Sequence, residues 1–194
     1  MKNNTDNNIT LTTPPLKLVF KAHLVEGDRD FAEKHPRAIT LKDGNVVNTN
    51  LRYRITGDLP LNTMEAKAFS DQIQVLWQEA VKSGGTPVPI PMKPGSKKVE
   101  EGQYEPDESV ARFAFSKPVY QGSIPVYENG KQVGSQKLVL TRGTLFTVEL
   151  EVRPYNFRTE DSGENMSGIT LYPVSITILE RTPTKSIPYK YLKK

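Results

Sequence analysis

The chain contains no cysteine. That absence excludes disulfide scaffolds, thiolate zinc sites and cysteine nucleophiles, and it suits a reducing compartment. Histidine is nearly as scarce: His23 and His35 stand twelve residues apart, with no carboxylates placed to complete a metal site around them. No stretch approaches the ~20 apolar residues of a membrane-spanning helix. The opening MKNNTDNNITLTTPP lacks the apolar core of a signal peptide. There is no Walker-type phosphate loop, no GxGxxG turn, no HExxH and no GxSxG. These absences predict a cytoplasmic protein without enzymatic chemistry, cofactor or metal.

What is present is ordinary for a globular chain of 194 residues, with 36% hydrophobic and 25% charged residues. That size supports one good core. A formal charge of +4 permits polyanion binding without demanding it.

The most informative stretch runs from Thr141 to Arg181 and reads as a long hairpin. In its first arm Phe146, Val148, Leu150 and Val152 alternate with Thr147, Glu149, Glu151 and Arg153, the period of a strand with one buried face. The alternation stops at Pro154, which places Tyr155 and Phe157 at a strand end with exposed rings. The second arm carries Ile169, Leu171, Val174, Ile176, Ile178 and Leu179, a deeply buried strand.

Upstream, residues 1–14 are polar and Asn-rich and predict disorder. Leu16 to Val25 alternates like a strand, and EGDRDFAEKHP forms a loop or short helix stopped by Pro36. The KDGN turn at Lys42–Asn45 predicts a hairpin with arms at 37–41 and 46–56. Within it Leu51, Tyr53 and Ile55 share one face, and Arg52 and Arg54 project from the other.

Apolar residues at three- and four-residue spacing predict one helix over Met64–Lys82, capped by Asn62 with Glu65 and ended by Gly84 and Gly85. Trp77 lies on its apolar stripe and reads as core. Prolines at 87, 89, 91 and 94 predict a stiff extended loop, part of an insertion over about residues 84–109 whose Glu100, Glu101, Glu105, Asp107 and Glu108 are solvated. Roughly six or seven strands with one helix, and no strand–helix alternation, predict a mainly β, partly open barrel.

Binding an unpaired nucleic-acid strand needs cations for phosphates and ring faces for bases. The sequence interleaves both: Arg52, Tyr53 and Arg54; Lys93, Lys97 and Lys98; Arg112 beside Phe113; and Arg142, Arg153, Tyr155, Phe157 and Arg158. Tyr53, Phe113 and Phe115 also fit core positions on their strands.

The segment ARFAFSKPVYQGSIPVYENGKQV (111–133), followed by an alternating strand, Tyr155, and Gly168 leading GITLYPVSITI, resembles the phage-type single-stranded DNA-binding proteins. The resemblance covers residues 110–181 well and 16–110 in element order. It implies a single oligonucleotide-binding (OB) domain over residues 15–182, a five-stranded or slightly elaborated barrel with long hairpins and one α-helix. The Arg37–Thr56 hairpin and the loops near Lys93 and Tyr155 would rim its groove. The resemblance implies sequence-nonspecific binding of single-stranded DNA in phage replication or recombination, in the host cytoplasm. Replication proteins and further copies of the chain would be its partners. No local signature separates DNA from RNA.

One departure stands out. Many such proteins end in an acidic tail, whereas residues 183–194 form a basic one, with Lys185, Lys190, Lys193 and Lys194 and no acid. The competing reading is a tail- or capsid-associated phage β-barrel acting through protein contacts.

Overall fold

The computed structural model describes residues 9–82, 84–134, 138, 140–159 and 162–182. The expectations for residues 1–8 and for the basic tail at 183–194 lie outside the described residues. In chain order the elements are β1 (Ile9–Thr12), β2 (Leu16–Leu18), α1 (Arg29–Lys34), β3 (Ala38–Thr40), β4 (Val46–Asn48), β5 (Arg52–Pro60), α2 (Met64–Lys82), β6 (Thr86–Pro87), β7 (Met92–Glu100), β8 (Gln103–Pro118), a 3₁₀ turn (Val119–Gln121), β9 (Val126–Glu128), β10 (Lys131–Gln132), β11 (Leu145–Arg158) and β12 (Asn165–Glu180).

The main sheet has the order β10-β9-β12-β11-β2-β5-β8-β7, with β1 added to β11 and β6 to β12. β8 and β12 approach each other but share no ladder among the described residues, so the sheet curls into a partly open barrel. Inside it Phe113, Phe115, Phe146, Leu150, Leu171 and Ile176 are fully buried. Helix α2 contributes Phe69 and Ile73 to the same core. The Phe69 ring meets Phe113 edge-on with centroids 5.5 Å apart, a geometry worth ~0.5–1.5 kcal/mol beyond its buried area.

Residues 9–14, part of the segment expected to be disordered, are ordered. Ile9–Thr12 pairs antiparallel with Val152–Glu149, and Leu16 and Lys17 continue along β11 opposite Phe146 and Leu145. Between them Pro14 and Pro15 bring no amide donors, so the buried Thr13 bridges the gap. Its amide donates to the Val148 carbonyl at 2.9 Å, and its hydroxyl accepts from the Val148 amide at 2.9 Å.

The strand expected over 16–25 is shorter, ending at Leu18. Beyond it the chain follows β5 through one bridge, in which His23 and Arg54 exchange amide bonds of 2.8 and 3.1 Å. Phe20, expected on the apolar face, is 56% exposed. The DG hairpin forms, but only as β3 on β4; pairing stops at Asn48, and β5 belongs to the barrel. Helix α1 stands where the loop or short helix was expected, so there are two α-helices among the described residues. The α2 cap is Thr63 rather than Asn62: its hydroxyl accepts from the Ala66 amide at 3.1 Å and its carbonyl from Lys67.

Much of the expected loop at 84–109 is instead strand: Thr86–Pro87, Met92–Glu100 and the start of β8 from Gln103. β7 pairs with β8, and the register jumps between Pro94 and Gly95. Proline is tolerated there because β7 is the edge of the sheet and the bulge interrupts the ladder. The acidic side chains of this arm are exposed, Asp107 excepted, which is half-buried. β12 is bulged as well: Glu149 pairs with Ser175 but Leu150 with Pro173, leaving Val174 unpaired. The inward positions therefore switch from Ile169 and Leu171 to Ile176 and Ile178. Leu179 lies in a second register shift and is half exposed.

Candidate nucleic-acid interface

Burying Tyr53 and Ile55 on the inner face of β5 forces Arg52 and Arg54 outward. On β11 and β12 the same alternation buries Leu150, Val152 and Leu171, and so turns Glu151, Arg153 and Tyr172 outward. Glu151 stands directly opposite Tyr172 in the β11–β12 ladder. The 3₁₀ turn after β8 adds Tyr120 and Gln121 at the place where β8 and β12 approach. These side chains form one cationic and aromatic cluster across the barrel closure.

Its geometry is specific. The Arg153 guanidinium lies 3.5 Å from the centre of the Tyr172 ring, and the Lys117 ammonium lies 5.6 Å from it. The Tyr172 hydroxyl donates to Gln121 Oε1 at 2.8 Å, which pins the ring. Arg52 donates from Nε to Ser116 Oγ at 3.1 Å, and Lys117 donates to the Ser123 carbonyl at 3.2 Å. Among the described residues neither Arg52 nor Lys117 forms an ion pair with a carboxylate. Arg153 does, donating from Nε and Nη2 to Glu151 Oε2 at 2.9 and 2.7 Å.

The electrostatics record this crowding. Burial, reinforced by neighbouring Arg54, lowers the Arg52 pKa. Burial, with Arg153 nearby, lowers that of Lys117. Burial raises the Tyr172 pKa against the opposing pull of Arg153. Cations whose charge is destabilised by desolvation and by one another, next to a ring, suit an anion that also carries an aromatic group.

The cluster continues along β11, because Tyr155 and Phe157 share the outward parity of Arg153. The strand does not end at Pro154, as the alternation predicted: it runs to Arg158, with Pro154 opposite Ile169 and Tyr155 opposite Gly168. Among the described residues, pairing with β1 runs no further than Val152. The Tyr155 and Phe157 centroids are 5.7 Å apart. Tyr155 lies across Gly168, where a Cβ would fall 2.8 Å from its hydroxyl oxygen; burial raises its pKa. Phe157 is 51% exposed.

Arg52, Arg153, Tyr155 and Phe157 are thus brought to one surface, and the other sequence candidates are not free members of it. Tyr53 is 6% exposed and offers no ring face, which corrects its place among the stacking residues. Arg54 is held by Asp28 at 3.3 Å and lies 4.1 Å over Phe31. Arg112 is bound side-on by Asp58 at 2.7 and 2.9 Å, which raises its pKa. Lys93 lies opposite Arg112 at that end of β8.

Lys97 and Lys98 lie on the far arm of the β7–β8 hairpin, opposite Glu105 and Tyr104. Arg142 precedes β11, at the opposite end of a strand that rises about 3.3 Å per residue. Arg158 folds onto its own hairpin, donating to the Gly163 carbonyl at 2.8 Å. The sequence reading missed Lys117, Tyr120, Gln121 and Tyr172. The signal for Tyr172 was its outward parity beside buried Leu171, a parity obscured by the bulge that follows.

No family model matches this sequence, and no curated protein matches it. Solved structures do. The single-stranded DNA-binding protein gp2.5 of bacteriophage T7 superposes with a TM-score of 0.59 at 12% identity, over 91% of this chain and 89% of that one. The single-stranded DNA-binding protein of bacteriophage Enc34, truncated at its C-terminus, gives 0.55 at 13% identity over 94% and 95%. Its complex with single-stranded DNA gives 0.53 at 14% over 95% and 96%. This chain therefore has the OB-type fold of the phage single-stranded DNA-binding proteins.

Proposed function

We propose that this chain binds single-stranded DNA without sequence preference, coating transient single strands during phage DNA replication or recombination. The observation that carries the proposal is the closure cluster, where Arg52 and Lys117 stand without carboxylate partners among the described residues, beside the ring of Tyr172 bonded to Gln121. The likeness of fold to phage proteins that bind single strands supports the same reading.

Bases stack on Tyr172, Tyr120 and the Tyr155–Phe157 pair, and phosphates meet Arg52, Lys117 and Arg153. Each stacked base contributes ~1–3 kcal/mol, and each neutralised phosphate adds ~0.7 to the salt slope. Ring faces accept any base, so the binding follows the polymer rather than its sequence. A duplex keeps its bases paired and cannot present them to the rings.

The test is fluorescence anisotropy of a labelled oligo-dT of about 30 nucleotides, titrated at low and moderate salt with a matched duplex as competitor. Tight, salt-sensitive binding that the duplex fails to displace is expected. Absence of binding at low salt overturns the proposal.

A further inference from the structure

Phe20 is exposed and yet held in place. It is 56% accessible, and the Arg112 guanidinium lies 5.4 Å from the centre of its ring. That guanidinium is itself fixed: Asp58 accepts two bonds from it at 2.7 and 2.9 Å, and Ser96 Oγ accepts a third at 3.1 Å. A single apolar ring on a surface is common, but this one is anchored by a clamped cation and still presents more than half of its area to solvent.

Four neighbouring strands set its surroundings. Lys17 stands opposite Asp58, Asp58 opposite Arg112, and Arg112 opposite Lys93; directly opposed residues share one face of a sheet. With strands about 4.8 Å apart, Lys17 and Lys93 flank the Arg112 position across roughly 14 Å of backbone. Both lysines are exposed, and among the described residues neither forms an ion pair. Asp58 and Arg112 neutralise each other, so the two lysines are the charge that this row offers. The face is the one that carries Arg52: Asp58 lies six residues further along β5 with the same parity, about 20 Å away. The row is thus continuous with the closure cluster along one strand.

Resting on the proposed function, we infer that Phe20 is a further base-stacking residue, with Lys17 and Lys93 as phosphate contacts, in a second subsite of the same single strand. A strand that leaves the closure cluster along the outer face of β5 passes over this row. One base lies on the solvent side of the Phe20 ring, and the phosphates beside it meet the lysines. Arg112 serves as a positioning residue, holding the ring rather than the strand.

The experiment compares Phe20→Leu, which keeps an apolar side chain and removes the ring, with Phe20→Tyr, which keeps the ring. Both are titrated with labelled oligo-dT of about 30 nucleotides and melted thermally. Phe20→Leu is expected to weaken binding at least about fivefold with an unchanged melting temperature, and Phe20→Tyr to bind like the unsubstituted protein. The double variant Lys17→Ala and Lys93→Ala is expected to lower the salt slope by about 1.4. Full affinity in Phe20→Leu, equal losses in the Leu and Tyr variants, a loss accompanied by a lower melting temperature, or an unchanged slope in the double variant each overturn the inference. Failure of the unsubstituted protein to bind oligo-dT overturns the functional reading itself and is visible separately.

Discussion

Arg54 lies 4.1 Å above the centre of the Phe31 ring and is held there by Asp28. Arg52, two residues earlier on the same face of β5, bonds only Ser116 among the described residues. Two arginines that look alike in the sequence therefore differ in what they can offer a phosphate. Arg52→Ala is expected to reduce the slope of log affinity against log salt by about 0.7. Arg54→Ala is expected to leave that slope nearly unchanged and to cost stability through the Asp28 and Phe31 contacts. Anisotropy titrations over a salt series, paired with thermal melts, check both.

Tyr172→Ala removes the ring at the centre of the cluster without opening the core, since the residue points outward from β12. Binding of oligo-dT should weaken by ~1–3 kcal/mol with the fold intact. Tyr53→Phe, which alters a buried ring, should leave affinity unchanged. Loss of thermal stability with full affinity in Tyr172→Ala would remove it from the interface.

Lys117 provides a pH signature. Burial and the neighbouring Arg153 favour its neutral form and lower its pKa, so it loses its charge before an ordinary lysine does at about 10.4. A bound phosphate favours the charged form. Affinity should therefore fall as pH rises through the alkaline range below that value, and Lys117→Arg, which stays protonated, should flatten this decline. Titrations from neutral to alkaline pH measure it; identical profiles for the two proteins would show that Lys117 meets no phosphate.

The N-terminal strand makes a separate prediction about stability. Removing residues 1–12 strips β1 from the edge of β11 at Glu149–Val152 and takes away Leu11, which packs against the core. A lower melting temperature and a tendency to associate through the exposed edge are expected, checked by thermal unfolding and light scattering. An unchanged melting temperature would mean that β1 adds nothing.

Gly57 reports on packing inside the barrel. A Cβ there would fall 2.8 Å from Phe146 Cζ and 2.9 Å from Leu16 Cβ, two fully buried side chains with no room to retreat. Gly57→Ala should cost about 1–3 kcal/mol by overpacking. Chemical denaturation measures this, and a neutral result would mean that the core relaxes around the methyl group.

The local patterns in this sequence determined a great deal. Alternation marked the inward faces of β5, β8 and the barrel part of β11, since a strand half in water must repeat every second residue. Three- and four-residue spacing marked α2, and Asp43–Gly44 marked the β3–β4 turn, because each depends on neighbours in the chain. Tertiary structure alone decided the remainder. Ile9–Thr12 carries no strong strand signal and becomes ordered only because β11 offers an unfilled edge. The prolines of the 84–109 segment argued for a loop, but an edge strand with a bulge places Pro94 where its missing donor costs little. The bulge at Val174 reversed the inward parity of β12 and so hid Tyr172. The site itself joins Arg52, Lys117, Arg153 and Tyr172 from four strands. Their sequence spacing is silent on whether those strands meet, because closure depends on how the whole sheet coils; and which arginines remain free for phosphate depends on acids distant in the chain, Asp28 and Asp58 among them.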